Sequence, residues 1–212
     1  MSDIPQITDS HCHLDFPDFE GNLNDVIQRA SDAGVTRMVT ICTKLANEPT
    51  VRAISEAYAP VFYAAGTHPM SVAAEPMATY EELLTLTNHP KMVGIGETGL
   101  DYHYTAESAQ AQQTSLRTHI AVSRDTGLPL IIHARDADDD MAEILTQEHA
   151  NGAFPCVMHC FSSSAKLGRA ALDLGFYLSM SGITAFPKSQ DLRDIFANAP
   201  LDRILVETDS PY

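Results

Sequence analysis

Short apolar segments rich in β-branched residues alternate along the chain with longer segments that fit amphipathic helices. The apolar segments span residues 6–11, 36–43, 61–67, 92–97, 129–133, 156–160, 176–181 and 204–208. The helical segments between them span 20–33, 47–58, 79–88, 107–126, 137–149, 164–174 and 189–197. Such alternation predicts a parallel sheet with right-handed crossovers. Eight strands favour a closed (β/α)8 TIM barrel over an open sheet.

Details within the predicted helices agree with this fold. Segment 107–126 places Leu116, Ile120 and Val122 on one stripe, which we expect to be buried. A glycine follows three of the helical segments, where a left-handed cap would end the helix. These glycines are Gly34, Gly127 and Gly175.

The length of 212 residues and the hydrophobic content of 44% fit a single domain over residues 1–212. A complete barrel has a helix after its eighth strand, whereas this sequence stops at Tyr212, just after that strand. We therefore expect a barrel whose final helix is missing, in a fragment or shortened form of a longer chain. Outward-facing Ile204 and Val206 would then be uncovered, and the short form would be less stable than an extended one.

Ionisable side chains recur where the predicted strands end. In a barrel all strands end at one rim, where barrel enzymes carry their chemistry. A single histidine or carboxylate there has ordinary explanations, such as a structural hydrogen bond or a helix cap. Six that converge are hard to satisfy except with cations, because burying a charge without a partner is costly. The six are His11, His13, Glu97, His133, His159 and Asp209.

Four imidazoles and two carboxylates suit two divalent metal ions that share a bridging carboxylate. His11 and His13 are two positions apart, so both point to the same side of a strand. His68, in GlyThrHisPro, is a fifth histidine at a strand end. The other four lie in helix or loop segments, where we expect them to be solvated: His89, His103, His119 and His149.

The motifs around these residues resemble those of the TatD family of metal-dependent hydrolases, within the amidohydrolase-like barrels. The matching motifs span residues 10–212 in family order: HisCysHisLeuAsp, GlyThrHisPro, GlyGluThrGlyLeuAspTyr, IleIleHisAlaArgAspAla, HisCysPheSer and GluThrAspSerProTyr. The resemblance implies two metal ions, one bound by His11, His13 and Asp209, the other by His133 and His159, with Glu97 bridging them.

The resemblance also places His68 on the substrate side. Arg135 and Asp136 match the family, although an ion pair or a helix start would explain them equally well. Two departures concern the substrate. Met70 stands where the family usually has the second histidine of HisProHis, and the family's later loop rich in Arg and Lys, with its final helix, is missing here.

The leading functional interpretation is hydrolysis of phosphodiester bonds in DNA by water activated between two metal ions, with DNA or another phosphodiester as the partner. Glu97 and Asp209 are the candidate catalytic residues, with Asp209 as the general base. Mg, Mn or Zn are the candidate metals. The alternatives are an esterase or amidase such as an aminoacyl-tRNA deacylase, a small-molecule phosphodiesterase, and a non-catalytic metal-binding scaffold.

Composition limits the partners further. The net charge is −15 and no Lys/Arg cluster is present, which opposes a broad phosphate-binding surface. If the substrate is a nucleic acid, metal ions would have to supply the positive charge that binds its phosphates.

No apolar run approaches the roughly 18 residues of a membrane span, and no signal peptide or obligate protein partner is evident, so we expect a cytoplasmic protein. The four cysteines, Cys12, Cys42, Cys156 and Cys160, are expected to be small buried hydrophobic residues.

Overall fold

A computed structural model of the chain describes residues 5–212. Within this range eight strands alternate with seven α-helices, as the sequence predicts. The elements are β1 Ile7–Cys12, α1 Leu23–Asp32, β2 Val35–Cys42, α2 Glu48–Ala57, β3 Val61–Ala65, α3 Tyr80–Leu86, β4 Met92–Asp101, α4 Ala109–Thr126, β5 Leu130–Arg135, α5 Asp138–Ala150, β6 Cys156–Met158, α6 Ala165–Asp173, β7 Tyr177–Met180, α7 Gln190–Asn198 and β8 Ile204–Val206.

The eight strands form one sheet in the order β1 to β8, and every neighbouring pair is parallel. Consecutive parallel neighbours joined by helices are the topology of a (β/α)8 barrel. The predicted fold class is therefore confirmed. All the strands end at the same rim, so side chains that follow them are brought together.

The first and last strands meet at this rim through individual hydrogen bonds. The amide of Asp209 donates to the carbonyl of His11 over 2.9 Å, and the amide of His13 donates to the carbonyl of Ser210 over 2.8 Å. The buried Asp9 carboxylate accepts from the Thr208 amide at 3.0 Å and from its hydroxyl at 2.6 Å. These contacts between residues 9–13 and 208–210, called the β1–β8 seam below, place the segment after β8 beside β1.

The core lies between the sheet and the helices. Leu116, Ile120 and Val122 of α4 are fully buried, as their spacing predicts. The three predicted glycine caps have positive φ angles, which residues with a side chain rarely adopt. These angles are 94° at Gly34, 72° at Gly127 and 81° at Gly175.

Several details differ from the sequence-based expectations. Strand β4 continues to Asp101, beyond the predicted end at residue 97, because it stays paired with β5 over Thr98 to Asp101. Ile204 packs against the main core, whereas Val206 is 45% exposed, so only the second expected apolar side chain is uncovered. Three cysteines are buried as expected, but Cys160 is partly exposed.

None of the helices within residues 5–212 combines the length and the apolar character needed to cross a bilayer.

Candidate metal centre

Glu97 lies at the centre of the polar cluster at the rim. It is almost completely buried near the middle of β4, and four histidine nitrogens lie within 3.4 Å of its carboxylate. Its two oxygens face different neighbours. Oε2 is 3.4 Å from Nε2 of His11. Oε1 faces His68, His133 and His159, so the carboxylate separates two groups of side chains.

The first group contains His11, His13 and Asp209. The Nε2 atoms of His11 and His13 are 3.2 Å apart. Oδ1 of Asp209 lies 3.7 Å from the first of these nitrogens and 3.4 Å from the second. The i, i+2 spacing on β1 brings the imidazoles together, and the seam between β1 and β8 brings the carboxylate to them.

The second group surrounds Oε1 of Glu97. Nδ1 of His133 lies 3.2 Å from this oxygen, Nε2 of His159 lies 2.9 Å from it, and Nε2 of His68 lies 3.2 Å from it. His133 lies within β5, whereas His159 and His68 follow β6 and β3 respectively. The structure thus brings the six predicted ligand residues and His68 into one cluster.

Three of these imidazoles have a polar partner on the side away from the cluster. Nδ1 of His13 is 3.4 Å from the carbonyl of Ile41. Nε2 of His133 is 3.1 Å from Asp101, and Nδ1 of His159 is 3.4 Å from Glu207. For His13 and His133 the contact is a hydrogen bond. A hydrogen bond from the outer N–H of a histidine fixes its tautomer and leaves the inner nitrogen free to bind a metal.

The donor set fits divalent cations. Three groups of side chains have nitrogen and oxygen atoms within 4.8 Å of one another: His11, His13 and Glu97; His68, Glu97 and His133; and His11, His159 and Glu207. Oδ1 of Asp209 is buried without a hydrogen-bond donor, and so is Nδ1 of His11. Buried polar atoms without a partner are rare, and a ligated ion is one of the ways to satisfy them.

The electrostatics of the cluster favour a bound cation. Burial opposes ionisation of Glu97, but His159 and His68, with hydrogen bonds from His11 and His133, hold its pKa well below the usual range. Burial also opposes a charge on His159, yet the nearby Glu97 raises its pKa well above the usual value. The negative potential that attracts a proton to His159 also attracts a metal ion.

His68 differs from the other histidines of the cluster. Its Nδ1 accepts a hydrogen bond from the amide of Met70 over 3.2 Å. A neutral imidazole that accepts at one nitrogen carries its proton on the other. Nε2 of His68 therefore donates to Glu97, and the side chain lines the cleft beside the cluster.

The sequence-based reasoning missed the carboxylates behind the histidines. Asp101 is four positions after Glu97, on the same face of β4, and Glu207 is two positions before Asp209. Both are buried and contact a histidine of the cluster. The even spacing of Asp101 from Glu97 on β4 was a signal that the sequence contained, whereas Glu207 and Asp209 follow β8 and gave no such signal.

The expectation that His119 is solvated is wrong. It is fully buried on α4, with Nδ1 donating to the carbonyl of Ser115 over 2.8 Å and Nε2 accepting from the amide of Thr67 over 3.2 Å. Burial lowers the pKa of His119 to about 4, so the imidazole stays neutral. The sequence around His119 could not predict the contact with the Thr67 amide, because Thr67 follows β3 and is 52 positions away along the chain.

The other three histidines outside the cluster are less buried. His103 is exposed, and His89 and His149 are partly buried. His89 is 3.1 Å from the carboxylate of Glu56, and His149 packs near Phe154.

The cluster opens into a cleft of about 1540 Å³. One part of its wall is aromatic, since Phe16 stacks on His13 with ring centroids 4.7 Å apart and Tyr212 contacts Phe16 edge to face. Among the described residues that line the cleft, Lys44 and Arg135 are the lysine and arginine side chains. The cleft is larger than a pocket for one small ligand, which typically measures about 300–1,000 Å³.

This arrangement of histidines and carboxylates on a barrel rim has relatives among known proteins. The TatD-related DNase family matches residues 8–212 of the chain. The chain belongs to this family. It is 39% identical over 209 residues to the uncharacterized metal-dependent hydrolase YcfH of Escherichia coli, an alignment that covers 97% of this chain and 78% of that protein.

A second relative is the uncharacterized metal-dependent hydrolase YabD of Bacillus subtilis, with 36% identity over 96% of this chain and 80% of that protein. The crystal structure of the TatD homologue YjjV of Escherichia coli superposes with a TM-score of 0.90 at 31% identity. That match covers 98% of this chain and 80% of YjjV. The protein is therefore a metal-dependent hydrolase of the TatD family.

Proposed function

We propose that this hydrolase cleaves phosphodiester bonds of DNA with two divalent metal ions. The observation that carries the proposal is the division of ligands by Glu97. One of its oxygens faces the group of His11, His13 and Asp209, and the other faces His133 and His159. A carboxylate that serves two ligand groups is the arrangement of a two-metal site. The family is described as TatD-related DNase, which supports DNA as the substrate.

The residues of the chain divide the work around the cations. When bound, the ions polarise a phosphoryl oxygen and lower the pKa of water. Asp209 acts as the general base, because Oδ1 is buried without a donor and is free to accept a proton. Burial opposes its ionisation, but His13, whose Nε2 lies 3.4 Å from Oδ1, and the nearby His159 lower the pKa of Asp209, so it stays ionised. His68 lines the cleft beside the cluster and would contact the substrate from there.

The test measures hydrolysis of methyl p-nitrophenyl phosphate and of an end-labelled DNA oligonucleotide. Protein stripped with a chelator is assayed alone and after addition of Mg²⁺, Mn²⁺ or Zn²⁺. We expect at least one metal to restore hydrolysis of both phosphodiesters, and Asp209→Asn to abolish it. Asp191→Asn, at an exposed position on α7, is the matched control and should retain activity.

The alternative function is tested in the same assay with p-nitrophenyl acetate and an aminoacyl ester. The acidic composition and the small number of basic side chains in the cleft favour a substrate with few phosphates. Metal-dependent hydrolysis of the esters, with no cleavage of either phosphodiester, would replace the deoxyribonuclease proposal with an esterase or deacylase.

A further inference from the structure

We propose that Tyr104 and Arg135 form a subsite that stacks a nucleobase of the substrate beside the metal centre. The inference rests on the proposed function, since it names the part of a nucleotide that the cleft recognises. Tyr104 is 55% exposed and lines the cleft. The guanidinium carbon of Arg135 lies 4.8 Å from the centroid of the tyrosine ring.

The pair is fixed to the metal centre by short connections. Asp101 accepts from the amide of Tyr104 over 2.8 Å with one oxygen, and its other oxygen lies 3.1 Å from Nε2 of His133. Arg135 follows His133 by two positions on β5. In the register of the sheet it lies opposite Asp101 of the neighbouring strand β4. One buried carboxylate therefore sets the positions of both a candidate ligand and the aromatic ring.

The guanidinium is available to a ligand. Within residues 5–212, Arg135 takes part in no ion pair and its side chain donates no hydrogen bond. The ion pair that its motif allowed is thus absent from the described part of the chain. A planar cation held over an aromatic ring, with unused N–H groups, suits a base carbonyl or a phosphate oxygen.

The acidic side chains nearby are occupied by protein partners. Asp136 is 2.8 Å from Nδ1 of His103, whose ring contacts Tyr104 edge to face. Asp138 accepts from the amide of Ser164 over 2.8 Å. Neither Asp136 nor Asp138 forms an ion pair with Arg135, so among the described residues that line the cleft the guanidinium has no acidic partner.

The charge of the molecule explains why stacking should matter here. A net charge of −15 and two basic side chains in the cleft leave little affinity to be gained from a long phosphate backbone. Stacking of bases on aromatic rings does not depend on the net charge, and it contributes substantially for each base. Base stacking next to the cations therefore supplies affinity that the acidic surface cannot.

The experiment measures binding and does not depend on turnover. Calorimetry compares thymidine 5′-monophosphate with methyl phosphate, which has no base, on the 212-residue protein loaded with Mn²⁺. We expect the nucleotide to bind about tenfold more tightly, which corresponds to about 1.4 kcal/mol. Tyr104→Ala should remove this preference, and Tyr104→Phe should keep it. Arg135→Lys, which loses the planar group, should reduce it.

Phe186→Ala is the matched control, because this aromatic side chain is exposed outside the residues that line the cleft. It should leave the preference unchanged. Equal affinity for the two ligands, no measurable binding of the nucleotide, or an unchanged preference in Tyr104→Ala would overturn the inference. The hydrolysis of methyl p-nitrophenyl phosphate contains no base-dependent step, so failure of this subsite and failure of the proposed function are distinguished.

Discussion

Glu97 and His68 illustrate how two neighbouring polar residues take different roles. Both lie in the same cluster, and their closest atoms are 3.2 Å apart. The carboxylate of Glu97 has both oxygens directed at candidate ligand groups. His68 has one nitrogen already committed to the amide of Met70. The loss of each side chain should therefore affect metal binding differently.

We predict that Glu97→Gln loses more metal than His68→Ala. Glutamine keeps the shape but removes the negative charge between the two proposed cation sites, so the repulsion of the cations would be less compensated. Metal content is measured by elemental analysis after gel filtration in metal-free buffer. His68→Ala should retain most of its metal and lose activity. Equal metal content in Glu97→Gln and the unmodified protein would contradict the bridging role.

His119 is a residue whose protonation should control stability. Its pKa is lowered to about 4 in the folded protein by burial, against about 6.5 for an unperturbed histidine. Between these values the unfolded chain binds more protons, so stability falls as the pH falls from about 6.5 towards 4. Above this window the contribution is fully present.

We predict that His119→Gln removes this dependence. Between pH 7 and pH 5 the unmodified protein should lose about 2 kcal/mol relative to the variant, because glutamine does not titrate. Urea unfolding of both proteins at several pH values, with the same metal content, gives the difference. Other titrating histidines are common to both proteins and cancel. Parallel curves of unfolding free energy against pH would show that His119 is not the group responsible.

At the scale of elements, the seam between β1 and β8 decides where Asp209 stands. The carboxylate of Asp9 holds the amide and the hydroxyl of Thr208, and the next residue, Asp209, bonds through its amide to His11. Asp209 has a φ of 55°, a left-handed conformation that aspartate tolerates better than most residues. Asp9 and Thr208, which lie outside the cluster, therefore hold the candidate ligand Asp209 in place.

We predict that Thr208→Val weakens metal binding about tenfold, as expected for the loss of an outer partner that orients a ligand. The substitution keeps the side-chain shape and removes the hydroxyl that contacts Asp9 over 2.6 Å. Competition with a chromophoric chelator measures the affinity. Thr36→Val is the control, since its hydroxyl contacts the carbonyl of Ile7 at the opposite end of β1. An effect of the same size in both variants would indicate general loosening of the barrel.

At the scale of the whole molecule, metal ions and charge act together. The chain carries a net charge of −15, and the cluster adds buried carboxylates to one rim of the barrel. Cations that bind the folded state alone stabilise it by mass action. They also reduce the repulsion among acidic groups around the cleft.

We predict that chelation lowers the melting temperature. At a metal concentration about 100 times the dissociation constant, binding contributes about 2.7 kcal/mol, and for a chain of this size each kcal/mol shifts the midpoint by about 2–4 °C. Differential scanning calorimetry with and without EDTA should therefore show a shift of roughly 5–11 °C. Glu97→Gln should show a much smaller shift. A midpoint unaffected by EDTA in metal-loaded protein would contradict metal binding at the buried cluster.

The sequence alone determined the order of the strands and helices and placed the strand ends to within about four residues. This was possible because burial on a parallel sheet imposes a local pattern of apolar runs, helices and glycine caps. The carboxyl halves of barrel strands lie toward one rim, so His11, Glu97, His133 and His159 could be predicted to lie near one another without coordinates. The family motifs then attached chemistry to those positions.

Only the tertiary structure decided which atoms face each other. It paired His133 with Asp101, His159 with Glu207, and His119 with the amide of Thr67. These partners lie on different strands and helices, and their contacts depend on register and side-chain orientation across the barrel. No local pattern records such distances, because periodicity describes which face a residue occupies and not what stands opposite it.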